Sequence, residues 1–164
     1  MTSIHAIRAA RAPSLVSAIN PLLKRLLGIG MPFGPNVLIT VRGRSSGELR
    51  TFPVAILELD GHRYIQSPFG EVNWVRNLRA DGDAVISKGR NHEDVEAIEL
   101  SPEAAASVLR KAVAPQLRSP FGMVMGRYFH LGTDATPEDD IVEAHRHPTF
   151  ELRPRGTQPA KEQG

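Results

Sequence analysis

The sequence predicts an α+β protein, mainly β, in which about six antiparallel strands close a small barrel with helices at its periphery. Three observations predict it. Runs rich in β-branched residues recur along the chain: "NVLITVRG", "LRTFPVAILELD", "GHRYIQS", "DAVISKG", "EDVEAIELS" and "HPTFELRP". Most of them are joined by short turns. Strand and helix do not alternate as βαβαβ, which argues against a parallel sheet and leaves an antiparallel barrel as the best fit.

In chain order, "NPLLKRLLGIG" reads as a short helix. Asn20 caps it, Pro21 suits the first helical position, and Gly28 ends it. Leu22, Leu23, Leu26 and Leu27 form one face, opposite Lys24 and Arg25. That face fits a helix packed on the core, or an amphipathic element at a membrane surface. The next two strands flank "RSSG" and read as a hairpin. Asp60-Gly61 is a second hairpin turn of the strongest kind. "VNWVRNLRAD" is a helix, with Val72, Val75 and Leu78 at helical spacing. Two more strands surround a turn at Gly89–Asn91. Ser101-Pro102-Glu103 opens a helix running to about Val113. "PFGMVMGRYFHLG" fits a short helix less clearly, and a last strand ends at Pro154.

The chain has 164 residues, the size of one domain with a core of its own. Residues 1–153 are expected to form a single domain, with 1–13 loose, 14–29 helical, and the polar tail 154–164 disordered. No run of about 18 apolar residues predicts a transmembrane helix. The N-terminus lacks the apolar stretch of a signal peptide, so a cytoplasmic location is expected. Cysteine is absent, which excludes disulfides, iron–sulfur clusters, thiolate zinc sites and a cysteine nucleophile. The net charge is +2 but is unevenly spread. Through Arg50, Glu48 alone opposes Arg8, Arg11, Lys24, Arg25, Arg42, Arg44 and Arg50. A basic half of this kind points to an anionic ligand, a membrane surface or nucleic acid.

Several chemistries lack their residues. "GIGMPFG" follows a helix rather than a strand, so it has no scaffold for a phosphate-cradling loop. Ser45 and Ser46 have no activating base beside them. His145 and His147 form a His-x-His pair without a third ligand at a set spacing, so no metal site is expected. "PEDD" reads as a helix start. What remains is the basic hairpin. A turn at Ser45-Ser46-Gly47 brings Arg42, Arg44 and Arg50 near one another. Backbone N–H groups of such a turn make an anion-binding nest, and arginine forks add bidentate contacts to phosphate or carboxylate. Trp74 and Asn77 share a helix face. They suit a flat, hydrogen-bonding ring, or equally a core tryptophan beside a capping amide.

The ordered set "GRSSGELRTFPVAI", "LDGHRYIQSPFG", "NWVRNLRADG" and "HPTFEL" resembles the deazaflavin-dependent nitroreductase and quinone reductase family. The match runs from about Val37 to Leu100, with a weaker one at the last strand. The resemblance implies a flavin-reductase-like split β-barrel that binds coenzyme F420, a deazaflavin with a phosphate and an oligoglutamate tail. It implies that Arg44, Ser45, Ser46, Gly47 and Arg50 hold phosphate and tail, with Arg42 at longer range. Pro53 would lie against the ring system, Ile65 and Ser67 would border it, and Trp74 and Asn77 would close the pocket. Many members carry lysine where this chain has Ser45, which leaves one contact missing or taken over by Lys88 or Arg90. The segment between Ser67 and Trp74 is also short compared with some members.

The implied reaction is hydride transfer from reduced F420 to an electron-poor acceptor: a quinone, a nitroaromatic or an activated alkene. Tyr128 is the candidate for a substrate-side hydrogen bond or proton donor, with a structural tyrosine equally open. The alternatives are an FMN-binding barrel and a non-catalytic deazaflavin carrier or sensor. Nucleic acid is not an expected partner, because no strand interleaves aromatic and basic residues. A monomer or homodimer is expected, and peripheral contact with the inner face of a membrane through the N-terminal helix stays open.

Overall fold

The computed structural model describes residues 36–88, 90–118, 123, 126 and 129–156. The expected helix at Asn20–Gly28, Tyr128 and the residues from 157 onward lie outside the described residues. The strands are β1 (Asn36–Arg42), β2 (Leu49–Leu59), β3 (His62–Gln66), β4 (Asp83–Lys88), β5 (Asn91–Glu99) and β6 (Thr149–Pro154). They close a barrel in the order β1-β2-β3-β6-β5-β4, every pair antiparallel. Among the described residues, three α-helices accompany them: α1 (Asn73–Ala80), α2 (Pro102–Val108) and α3 (Pro137–Arg146). Among the described residues, no helix is long and apolar enough to cross a membrane.

Alternation builds the barrel core. Val37, Ile39 and Val41 of β1 point inward, as do Val54, Ile65, Ala84, Ile86, Val95, Ala97, Phe150 and Leu152 of the other strands. The outer face of β2 and β3 is apolar as well. Leu57, Leu59 and Tyr64 pack there against Ala105, Val108, Leu109, Phe129 and Ala144. The Asp60-Gly61 turn has φ of 53° and 79°, the left-handed pair that a two-residue hairpin between Leu59 and His62 requires.

The helix starts follow the sequence. Ser101 Oγ accepts from the Ala104 N–H at 3.2 Å, with Pro102 opening α2. Thr136 and Asp139 form a reciprocal capping box, so the "PEDD" carboxylates do begin a helix. The helix expected to run to Val113 changes pitch, because Leu109–Val113 is a π turn. Ala114 N–H reaches back to the Leu109 carbonyl at 2.9 Å. Pro115 follows, and its ring would meet the Lys111 carbonyl in a regular α turn. The wider turn relieves that clash.

Antiparallel closure gathers the ends of β1, β3 and β5 and the starts of β2, β4 and β6 at one rim. Helix α1 crosses this rim and seals it with Trp74, Val75 and Leu78. Arg79 fastens α1 by reaching Glu99 of β5 at 2.8 and 2.7 Å and Glu71 at 2.6 Å.

Arg63 on β3 spans β6 to hold Glu93 of β5 through two bonds of 2.7 Å. The guanidinium holds the Glu93 carboxyl below its ordinary range, with burial partly opposing. A lowered carboxyl pKa stabilises the fold above the ordinary value, near 4.3, and the gain is lost as pH falls through the folded value. Glu93 is 40% exposed, so the gain is below about 1 kcal/mol. Melting temperatures at pH 7 and pH 3 are expected to differ less for Arg63→Gln than for the wild type.

Candidate functional site

The β1–β2 loop, Gly43 to Glu48, projects from the rim that α1 seals. Gly43 N–H donates to the Glu48 carbonyl at 2.7 Å, and Gly47 N–H to the Gly43 carbonyl at 2.9 Å. Glu48 N–H donates to Ser46 Oγ at 3.2 Å. Gly47 sits at φ +72° with open space where a Cβ would stand. Gly47→Ala therefore meets backbone strain alone, about 1 kcal/mol. Thermal melting is expected to show that loss.

The three arginines are held by three different partners rather than gathered on one point. Arg44 donates twice to the Asn77 side-chain oxygen of α1, from its backbone N–H at 3.2 Å and from Nη1 at 2.9 Å. Asn77 is a neutral amide, and among the described residues no carboxylate pairs with the Arg44 guanidinium. Arg42 Nη1 donates to the Gly47 carbonyl at 2.9 Å. Its Nε is buried without a hydrogen-bond partner, and Asp81 Oδ2 lies 4.0 Å away. Arg50 bonds Glu48 at 2.9 Å, with both side chains more than half exposed. The register places Arg50 on the face of Val41 and Arg42 on the face of Thr40. Among the described residues, no partner faces the N–H of Ser45 or of Ser46.

The residues expected around a ring are divided by the barrel wall. Pro53 pairs with Leu38 on the outer face, level with the Thr40–Thr51 hydroxyl pair. Ile65 points inward and is fully buried. Trp74 is 8% exposed and packs on Phe150, ring centroids 6.0 Å apart, as part of the core. Ser67 is also fully buried, and its hydroxyl donates to the Gly70 carbonyl at 2.6 Å. Asn77, 4% exposed, is the residue that α1 brings to the hairpin. Lys88 does not replace a contact at Ser45. Its neighbour Ser87 pairs with Leu38, so Lys88 lies level with Val37 at the far end of β1, about 16 Å along the strand from Arg42. Arg90 lies further still along that connection.

The sequence profile of the family described as F420H(2)-dependent quinone reductase matches residues 23–119, more than half of the chain. The chain belongs to that family. Its cofactor is coenzyme F420, and it is an oxidoreductase. Among solved structures, an F420-H2 dependent reductase, FDR-A, is 20% identical, covers 73% of this chain and 95% of its own, and has a TM-score of 0.46. A protein described as a domain-swapped dimer is 19% identical over 84% of this chain and 98% of its own, with a TM-score of 0.48. A conserved hypothetical protein from Mycobacterium tuberculosis is 12% identical over 74% of this chain and 73% of its own, with a TM-score of 0.47. No curated protein matches the chain.

The hairpin of this F420H(2)-dependent quinone reductase family member fits the anionic end of that cofactor. Among the described residues, a guanidinium without a carboxylate partner, two backbone N–H groups without an acceptor and a buried guanidinium nitrogen without an acceptor all lie within five residues. The Arg50–Glu48 pair is exposed, so exchanging Glu48 for a stronger anion costs little. His145 and His147 do not converge, since the first is exposed and the second buried. Among the described residues, no group of side chains could hold a metal. One buried group escaped the sequence reading. His147 Nε2 bonds Glu143 at 2.8 Å, and its Nδ1 faces the Ser67 carbonyl at 3.2 Å. The i,i+4 spacing of Glu143 and His147 at a helix end was its only signal.

Proposed function

We propose that the protein transfers hydride from reduced F420 to a small electron-poor acceptor: a quinone, a nitroaromatic or an activated alkene. The observation that carries the reading is Arg44, whose charge is oriented by a buried amide and meets no counter-ion among the described residues. In this reading Arg44 and the N–H groups of Ser45 and Ser46 hold the phosphate. Arg50 turns from Glu48 to the acidic tail, and Arg42 closes from behind through Nε. Gly47 supplies the left-handed turn that opens the nest. Pro53 lines the outer wall. Ile65, Ser67 and Trp74 act from inside the barrel, by fixing β3 and α1 beneath the ring.

When bound in its reduced form, F420 supplies the hydride, so the protein needs no nucleophile of its own. Hydride brings two electrons and one proton; reduction of a quinone to a hydroquinone needs a second proton. The Tyr128 phenol is the proposed donor. The test is an anaerobic assay of purified protein with reduced F420 and a panel of the three acceptor classes. Acceptor-dependent oxidation of the cofactor supports the reading. Tight binding without turnover on any acceptor would instead identify a carrier or sensor.

A further inference from the structure

The turn Ser67–Gly70 joins β3 to α1 and so sets where α1 lies on the rim. It is tied to the C-terminal end of α3. Ser67 N–H donates to the Pro148 carbonyl at 3.0 Å, and Gly70, at φ +76°, runs beside the Arg146 carbonyl. The third tie is the Ser67 carbonyl, which receives His147 Nδ1. His147 is 3% exposed, and its other nitrogen faces the Glu143 carboxylate. Both ring nitrogens thus lie within hydrogen-bond distance of an oxygen, one on each side of the ring. The Phe129 ring stacks on the imidazole at 4.2 Å, and the His130 N–H donates to Glu143 at 2.8 Å. The chain just after residue 128 therefore hangs on the same pair.

We infer that His147 is a positioning residue: with Glu143 it fastens both the Ser67–Gly70 turn and the Phe129–His130 segment, and so orients α1 with Asn77 and Arg44. The inference rests on the cofactor reading above for its effect on catalysis, but not for the latch itself. Glu143 lies one turn earlier on α3 than His147, and among the described residues two charged or titratable groups face the pair. Arg146 Nη1 is 3.5 Å from Glu143 Oε2, and His130 Nδ1 is 3.6 Å from Glu143 Oε1. Burial pushes the Glu143 carboxyl up, yet the bonds from His130 N–H and His147 hold it below the ordinary range. The carboxylate thus stays ionised and keeps demanding a donor.

Two isosteres separate the ties. An asparagine amide overlies Nδ1 and keeps the bond to Ser67; a glutamine amide overlies Nε2 and keeps the bond to Glu143. Trp74 is the only tryptophan and lies two residues into α1, so its emission reports α1 without any cofactor. Wild type, His147→Asn and His147→Gln are compared for Trp74 emission and for F420 affinity. Circular dichroism confirms that each is folded. The latch predicts emission near wild type in His147→Asn and a shifted emission in His147→Gln. It also predicts affinity near wild type in His147→Asn, and an affinity about tenfold weaker in His147→Gln. Wild-type emission in both variants, or equal affinities in the two variants, would overturn it. A wild type that binds no F420 while the emission of His147→Gln is still shifted would overturn the cofactor reading and leave the latch standing.

Discussion

Arg44→Ala is expected to weaken binding of oxidised F420 by about ten- to a hundredfold, the worth of one charge-assisted hydrogen bond of about 1.5–3 kcal/mol. The fold should survive, because the backbone N–H of residue 44 still donates to Asn77 and Gly43–Glu48 still closes the loop. Arg50→Ala should cost less, since that guanidinium already shares its charge with Glu48. The same logic reverses at the acid. Glu48→Gln removes a competitor for Arg50 and is expected to tighten binding by about two- to threefold, the range of an exposed ion pair. Isothermal titration of the three variants checks all three signs. Equal losses in Arg44→Ala and Glu48→Gln would mean that loop shape, not charge, is being read.

Trp74→Ala is expected to lose about 3–5 kcal/mol of folding stability, the usual range for deleting a buried aromatic side chain. The indole is 8% exposed, stacks obliquely on Phe150, and closes the rim together with Val75 and Leu78. A loss of that size is a large share of the 5–15 kcal/mol that a domain typically has. Urea unfolding followed by far-ultraviolet circular dichroism measures it. Trp74→Phe, which refills most of the volume, should recover more than half. An alanine variant of undiminished stability that nevertheless loses the cofactor would show the indole serving the ligand rather than the core.

The barrel was legible because its signals are local. Alternating β-branched residues, the Asp60-Gly61 turn, and the apolar spacing of Val75 and Leu78 each act over a few residues, and the structure obeys each. Ser101 and Thr136 cap the helices that their sequences announce. The hairpin was legible as a loop rich in arginine but not as an arrangement. Which face Arg42 and Arg50 take depends on register, and the partner of Arg44 lies 33 residues away on α1. Pro53 and Ile65 are close in the ladder yet separated by the barrel wall, a distinction fixed by counting from the core outward. The π turn at Leu109–Val113 follows from a proline whose effect reaches back four residues. The role of His147 was not legible, because its partners Glu143 and the Ser67 carbonyl come together only through tertiary packing.

The claim on which the account turns is that the β1–β2 loop holds the anionic end of the deazaflavin. The direct measurement is a paired binding titration of the wild-type protein with F420 and with an analogue that keeps the ring system but lacks phosphate and tail. The account predicts that F420 binds at least about tenfold more tightly at low salt, and that the gap nearly closes in Arg44→Ala. Equal affinity of the wild type for the two ligands would contradict it.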